Sequence, residues 1–285
     1  MTHCIDTDED VGKALWRLLG DDVAAAREAL ASAKDTPDKR VHHARQRLKR
    51  ARSSLGILGP VMGHSARDLR RSIAATARLL ATARDADVVA ATARGLRERL
   101  GAEDDVGFGR LVVDLERRAG EAHQVEAPVE EVIARLTAIE ATIDQARREV
   151  DGAGLFDRAV AAAYRDGRKA MESARSSLST SDLHAWRKHA KTLWHLIGLG
   201  GKRLPKSIRR MADDLGRLGD LLGYDHDHAI LAERLALSPE ASHLLMRQLS
   251  MIAVERRSLE NEAFAIGGKL YGRKPKAFAR KARLD

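Results

Sequence analysis

Histidine, arginine and lysine recur in this chain at one spacing, twice. In the stretch VHHARQRLKRAR they are His42, Arg45, Lys49 and Arg52; in LHAWRKHAKTLW they are His184, Arg187 and Lys191. On a helix turning about 100° per residue, each set falls in one narrow stripe. Val41, Ala44, Leu48, Ala51 and Leu55 take the adjacent face of the first copy, and Leu183, Trp186, Ala190, Leu193 and Ile197 that of the second. A cationic stripe bordering a packed face lies at a groove between helices. Cations in a row without nearby acids repel one another unless an anion neutralises them. Arginine grips oxyanions with a fork of N–H donors, and lysine adds a point charge. The chemistry this pattern can do is therefore to hold a polyanion.

The rest of the composition agrees. The formal net charge is +9, and the excess is concentrated. Five Lys or Arg and no acid lie between Val41 and Ala66, and eight with no acid between Leu183 and Ala212. Between Gly101 and Val150, twelve acids face six bases. Such polarity favours a polyanionic partner; uneven but merely solvated helix faces are the alternative. Cys4 is the only cysteine, which excludes an internal disulfide and argues against a cysteine zinc site. No apolar run reaches membrane-spanning length, and the acidic start lacks a signal-peptide pattern, so a cytoplasmic location is the default expectation.

The elements that must carry these stripes are helices. Ala, Leu, Arg and Glu fill most windows, and no segment alternates with β-branched residues. Thr36-Pro37 and Ser238-Pro239 read as helix starts. Breaks are expected at Gly59-Pro60, Gly152 to Gly154 and Gly200-Gly201. The expectation is an all-α protein of about ten to twelve helices. An ungapped shift of 142 positions lays His42 on His184, Arg45 on Arg187, Lys49 on Lys191, Arg67 on Arg209, Leu79-Leu80 on Leu221-Leu222 and Asp85 on Asp227. Matched histidines and aspartates in one register point to a duplication, with halves at about 1–150 and 151–285.

Val41 to Arg52 resembles the first basic helix of the CHAD family, the conserved histidine α-helical domain. LLATARDADV (Leu79 to Val88) resembles that family's Arg-Asp-x-Asp motif, and LHAWRKHAKTL with LLGYDHDHAIL its second half. KPKAFARKARL is similar to its terminal helix. The resemblance spans about residues 8–285. It implies two pseudo-symmetric four-helix bundles with a basic central groove or pore, binding of inorganic polyphosphate, and in some members association with polyphosphate granules. Carried over by position, the binding residues are His42, Arg45, Arg47, Lys49, Arg50 and Arg52, then His184, Arg187, Lys188 and Lys191, with Arg209 and Arg210 as weaker additions. Trp194-His195 stands where the family commonly has Arg-Tyr, and His189 where the first half has Arg47, so the second stripe is expected to be weaker or differently shaped.

Each feature has a plainer reading beside it. His42 and His184 are read first as phosphate contacts, then as packed structural residues, and last as metal ligands. Asp85, Asp87 and Asp227 read as helix caps or arginine partners before metal ligands. Asp225-His226-Asp227-His228 is a weak ligand set, because neighbours on a helix point in different directions. The basic tail from Gly267 to Leu284 is read as a docked terminal helix through Phe278 and Leu284, not a disordered arm. With no nucleotide-binding loop, no His-Glu-x-x-His and no Glu-x-Glu-x-Lys, the expectation is a non-enzymatic, stand-alone, cofactor-free polyphosphate binder with no membrane association. A nucleic-acid-binding protein is the runner-up, opposed by the scarcity of stacking aromatics. A metal- or phosphohistidine-dependent phosphate-handling enzyme ranks last.

Overall fold

Alanine- and leucine-rich sequence with charged residues between folds here almost wholly as helix. The computed structural model describes residues 4–80, 82–99, 101–123, 128–236 and 243–282. The helices are α1 (Val11–Ala31), α2 (Pro37–Met62), α3 (His64–Leu79), α4 (Thr82–Arg99), α5 (Val106–His123) and α6 (Val129–Ala146). They continue as α7 (Gly152–Ser177), α8 (Thr180–Gly200), a 3-10 turn (Gly201–Arg203), α9 (Lys206–Arg209), α10 (Met211–Ala236), α11 (His243–Leu270) and α12 (Pro275–Ala282). No strand occurs among the described residues, nor any helix long and apolar enough to cross a membrane.

Local chemistry sets several boundaries. Asp10 accepts from Lys13 N at 2.8 Å, Asp151 from Gly154 N at 3.1 Å and Ser179 from Asp182 N at 3.1 Å, which satisfies amides at the starts of α1, α7 and α8. Thr36 and Pro37 open α2 as expected. Gly63 and Gly201, at φ of 60° and 47°, end α2 and α8 in the left-handed region. The expected break at Gly59-Pro60 does not occur: α2 runs through Pro60 to Met62. The proline removes one hydrogen bond, to the carbonyl of Gly56, which is exposed and open to water. Gly152 opens α7, because a Cβ there would stand 2.1 Å from the backbone nitrogen of Gly12. The expected helix start at Ser238-Pro239 lies outside the described residues.

Packing repeats along the chain. α1 lies on α2 and α6; α7 lies on α8 and α12; α8 lies on α10, α4 on α5, and α10 on α11. The larger apolar cluster joins Leu15, Leu19, Leu48 and Leu55 to Leu193 and Leu215. A smaller one joins Val89, Leu96 and Phe108 of α4 and α5 to Leu231 and Ile252 of α10 and α11. Both clusters draw on residues from either side of Val150. The terminal helix docks through Phe278, buried and stacked on Tyr164 with ring centroids 3.8 Å apart. Burying a side chain of that size contributes about 2–3 kcal/mol. Leu284, expected to dock with it, lies outside the described residues.

Candidate anion-binding site

The first stripe is carried by α2 against α3. Ala44, Leu48, Ala51 and Leu55 are buried, which turns Arg45, Lys49 and Arg52 to the edge of the α2–α3 seam. Arg45 Nη1 donates to the carbonyl oxygens of Leu80 at 3.0 Å and Ala77 at 3.4 Å. Lys49 and Arg52 are exposed. Arg70 of α3 places Nη2 3.6 Å from the point a Gly56 side chain would occupy, so its guanidinium prolongs the row one turn past Arg52. The Gln46 side-chain amide donates to His42 Nε2 at 2.8 Å.

The second stripe is carried by α8 against α10. Arg187 Nε donates to the carbonyl oxygen of Gly219 at 3.1 Å. Gly219 is the residue that the 142-position shift lays on Ala77, so repeat-related arginines donate to repeat-related carbonyls. Lys191 Nζ pairs with Asp220 at 3.1 Å and lies 5.0 Å from the Trp194 ring centre. Lys188 is exposed beside them. Where the row would continue, Trp194 lines an open hollow of about 530 Å3 with Asp213, Arg217, Asp220 and Tyr224.

His184 is not a cation here. Its ring stacks on His226 of α10, centroids 4.1 Å apart. Burial, then the nearby His226, Lys188 and Arg187, push its pKa down to about 4. His226 is also lowered, chiefly by burial. The neighbouring residues of Asp225 to His228 do face different surroundings. Asp225 is buried and accepts from Arg256 Nε at 2.7 Å; His228 is buried beside Arg99 at 3.1 Å. Asp227 is raised by burial and opposed by the Arg187 charge. It lies inside α10, so it does not cap a helix start, and the Arg187 charge acts on it. The side chain of Asp85 lies outside the described residues, and Asp87 is half-buried.

Two groups of expected site residues lie elsewhere. Arg47 Nη1 pairs with Asp22 of α1 at 3.3 Å. Asp22 is fully buried, and burial raises its pKa to about 7 against the pull of Arg47 and, more weakly, Arg50. Arg47 thus serves the α1–α2 contact, and on the helix it is more than a third of a turn from every residue of the stripe; Arg50 is half-buried and acts on Asp22 only through its charge. Arg209 donates from Nε to Leu204 O at 3.2 Å and lines a separate cavity in which no stripe residue takes part. Arg210 is exposed at the junction of α9 and α10.

A family model described as the CHAD domain matches residues 14–236. The chain belongs to the CHAD family. The crystal structure of the CHAD domain from the plant Ricinus communis is similar to it, with a TM-score of 0.69 at 17% identity over 96% of each chain. No curated protein matches the chain. At that identity the likeness shows the fold alone.

Sequence reasoning about this CHAD domain missed the glycines of α10. A Cβ on Gly219 would stand 2.5 Å from Lys191 Cε, and one on Gly223 would stand 3.0 Å from Arg187 Nη2. These bare positions let both cations of α8 lie across α10. Their four-residue spacing inside a helix was the available signal, since glycine there costs about 1 kcal/mol against alanine and calls for a packing reason. Arg70 gave no repeat signal, because Ala212 occupies the equivalent position.

Proposed function

We propose that this CHAD domain binds inorganic polyphosphate without catalysis, through a basic groove lined by its two repeated helices. The observation that carries the reading is the matched hydrogen bond, Arg45 to Ala77 O and Arg187 to Gly219 O. It holds two repeat-related arginines beside a helix seam, Arg45 through Nη1 and Arg187 through Nε. In this reading the halves at about 1–150 and 151–285 form two pseudo-symmetric four-helix bundles, and their stripes face one groove. Polyphosphate is a flexible chain of tetrahedral anions with nothing to stack. It calls for spaced Lys and Arg, not aromatics. Contact with both stripes raises avidity beyond either one. The domain then acts in the cytoplasm, where polyphosphate granules are a destination for it.

The test is competition. Labelled long-chain polyphosphate is displaced by unlabelled polymer, but not by duplex DNA or orthophosphate at equal phosphate concentration. Displacement by DNA as readily as by polyphosphate would assign the surface to nucleic acid. Incubation with polyphosphate and a divalent metal releases no phosphate above a buffer control; metal-dependent release lost on changing His42 or His184 would make the protein an enzyme.

A further inference from the structure

The connection from α8 to α10 differs sharply between the two copies. In the first, α2 and α3 are joined by Gly63 alone. In the second, the chain runs GKRLPKSIRR from Gly201 to Arg210, with five cations and no acid. Leu204 and Ile208 of this stretch are buried and pin it to the core. Lys202, Arg203, Lys206 and Arg209 then line a cavity of about 530 Å3, closed on its apolar side by Val11 and Phe156. Under the 142-position shift these four cations fall on Pro60, Val61, His64 and Arg67. The first copy turns the same corner without the first three, so the fold does not require them.

Two of the four are held by neutral acceptors. Arg203 Nη1 donates to Thr7 O at 3.2 Å, and Arg209 Nε to Leu204 O. A carbonyl orients a guanidinium without cancelling its charge and leaves other N–H groups to donate. One carboxylate, Asp157, shares the wall, and it has an interaction of its own. Four cations therefore converge on a space of ligand size with one acid among them. We propose that this connector cavity is a second anion site, taking a short run of two or three linked phosphates. Such a group packs several negative charges into a small volume. It offers tetrahedral oxygens to the Arg203 and Arg209 forks and charge to the two lysines. The cavity is too small to enclose a long polymer, and its site is independent of the stripes.

Calorimetry of the intact protein with tripolyphosphate tests the site, with pyrophosphate and ATP as further arms. Wild type binds tripolyphosphate. Lys202→Ala with Lys206→Ala, two exposed side chains, lowers that affinity tenfold or more at unchanged melting temperature. The same variant keeps its long-chain polyphosphate binding if the stripes carry it, so failure of either site shows separately. Competition by ATP as strong as by tripolyphosphate assigns the cavity to the triphosphate of a nucleotide; competition by the inorganic chains alone assigns it to them. Arg209→Ala, which keeps both lysines, is expected to weaken tripolyphosphate by a similar factor. No binding to wild type, or equal binding by the double-lysine variant, overturns the proposal.

Discussion

The two basic helices share a layout and differ in what surrounds it. Around the first, the place opposite Lys49 in the repeat is held by Arg78, and Arg70 prolongs the row beside Gly56. Around the second, the corresponding residues are Asp220, which pairs with Lys191, and Ala212. Arg52 is matched by Trp194, and the second-copy histidine, His184, is held neutral against His226. The difference extends beneath the helices. The pair of buried Asp22 with half-exposed Arg47 in the first copy is matched by Tyr164 and His189, and Tyr164 stacks on Phe278 of the terminal helix. The two helices share the arginine-to-carbonyl bond and differ in the charge around it. In the proposed reading the first copy is the stronger anion site, because Asp220 pairs with Lys191 in the second.

The largest break in that comparison comes from removing charge. Arg45→Ala, Lys49→Ala and Arg52→Ala together weaken long-chain polyphosphate about a hundredfold or more, whereas Arg187→Ala with Lys191→Ala weakens it about tenfold. Titration at two salt concentrations reads both effects, and the first variant flattens the salt dependence more. Circular dichroism comes first, because the removed stems and carbonyl bonds contribute packing. Equal losses would show that the copies are not graded, and no loss in folded variants would make the repeated helix a structural device.

Reversing the neutralisation is the next test. Asp220→Arg gives the second copy the residue that the first has at Arg78 and frees Lys191 from its partner. Affinity for long chains rises roughly three- to tenfold and the salt slope steepens by about one to two, the charge change being two. An unchanged affinity would place the second stripe outside the polymer's path.

The two copies also respond oppositely to pH. Asp22 has a folded pKa raised to about 7 from 3.8. Its contribution to stability is present in full below the unfolded value and is lost as pH rises through 7. His184 is depressed from 6.5 to about 4, so its contribution is present above 6.5 and is lost as pH falls through 4. Denaturant melts between pH 7 and 4 separate them. Asp22→Asn removes a gain on acidification, and His184→Gln removes a loss. Parallel pH profiles for wild type and His184→Gln would show that the histidine pair does not resist protonation.

How much of this was legible in the sequence follows from what each feature depends on. Helix content and the place of Arg45, Lys49, Arg187 and Lys191 beside a buried face are set by spacing along one helix, which a sequence displays. The seating of Phe278 was legible for the same reason. The fate of Arg47 was not: its partner Asp22 is on another helix, and nothing in a run of basic residues tells a core-facing arginine from a groove-facing one. Asp220 and Arg70 act across a seam, so their effect appears only when α8 meets α10 and α2 meets α3. Pro60 misled because proline breaks helices in general, while here it falls in a last turn beside an exposed glycine carbonyl.

The smallest effect isolates the seat of one lysine. Gly219 leaves space for Lys191 to cross α10, and a Cβ there would stand 2.5 Å from Cε and 3.0 Å from Nζ. In the first copy Ala77 occupies that position, so a methyl group is compatible with the repeat. Gly219→Ala should push the end of a flexible side chain aside without moving backbone. It also gains up to about 1 kcal/mol of helix propensity. The melting temperature then holds or rises slightly, while long-chain affinity falls by no more than about threefold, as Lys191 is shifted from its place in the row. Adding Asp220→Arg gives the second copy the Ala-Arg pair of the first and restores affinity to wild type or above. A fall in melting temperature as large as that of a truncated core leucine would show that Lys191 is packed as structure, and that the second stripe rests on Arg187 alone.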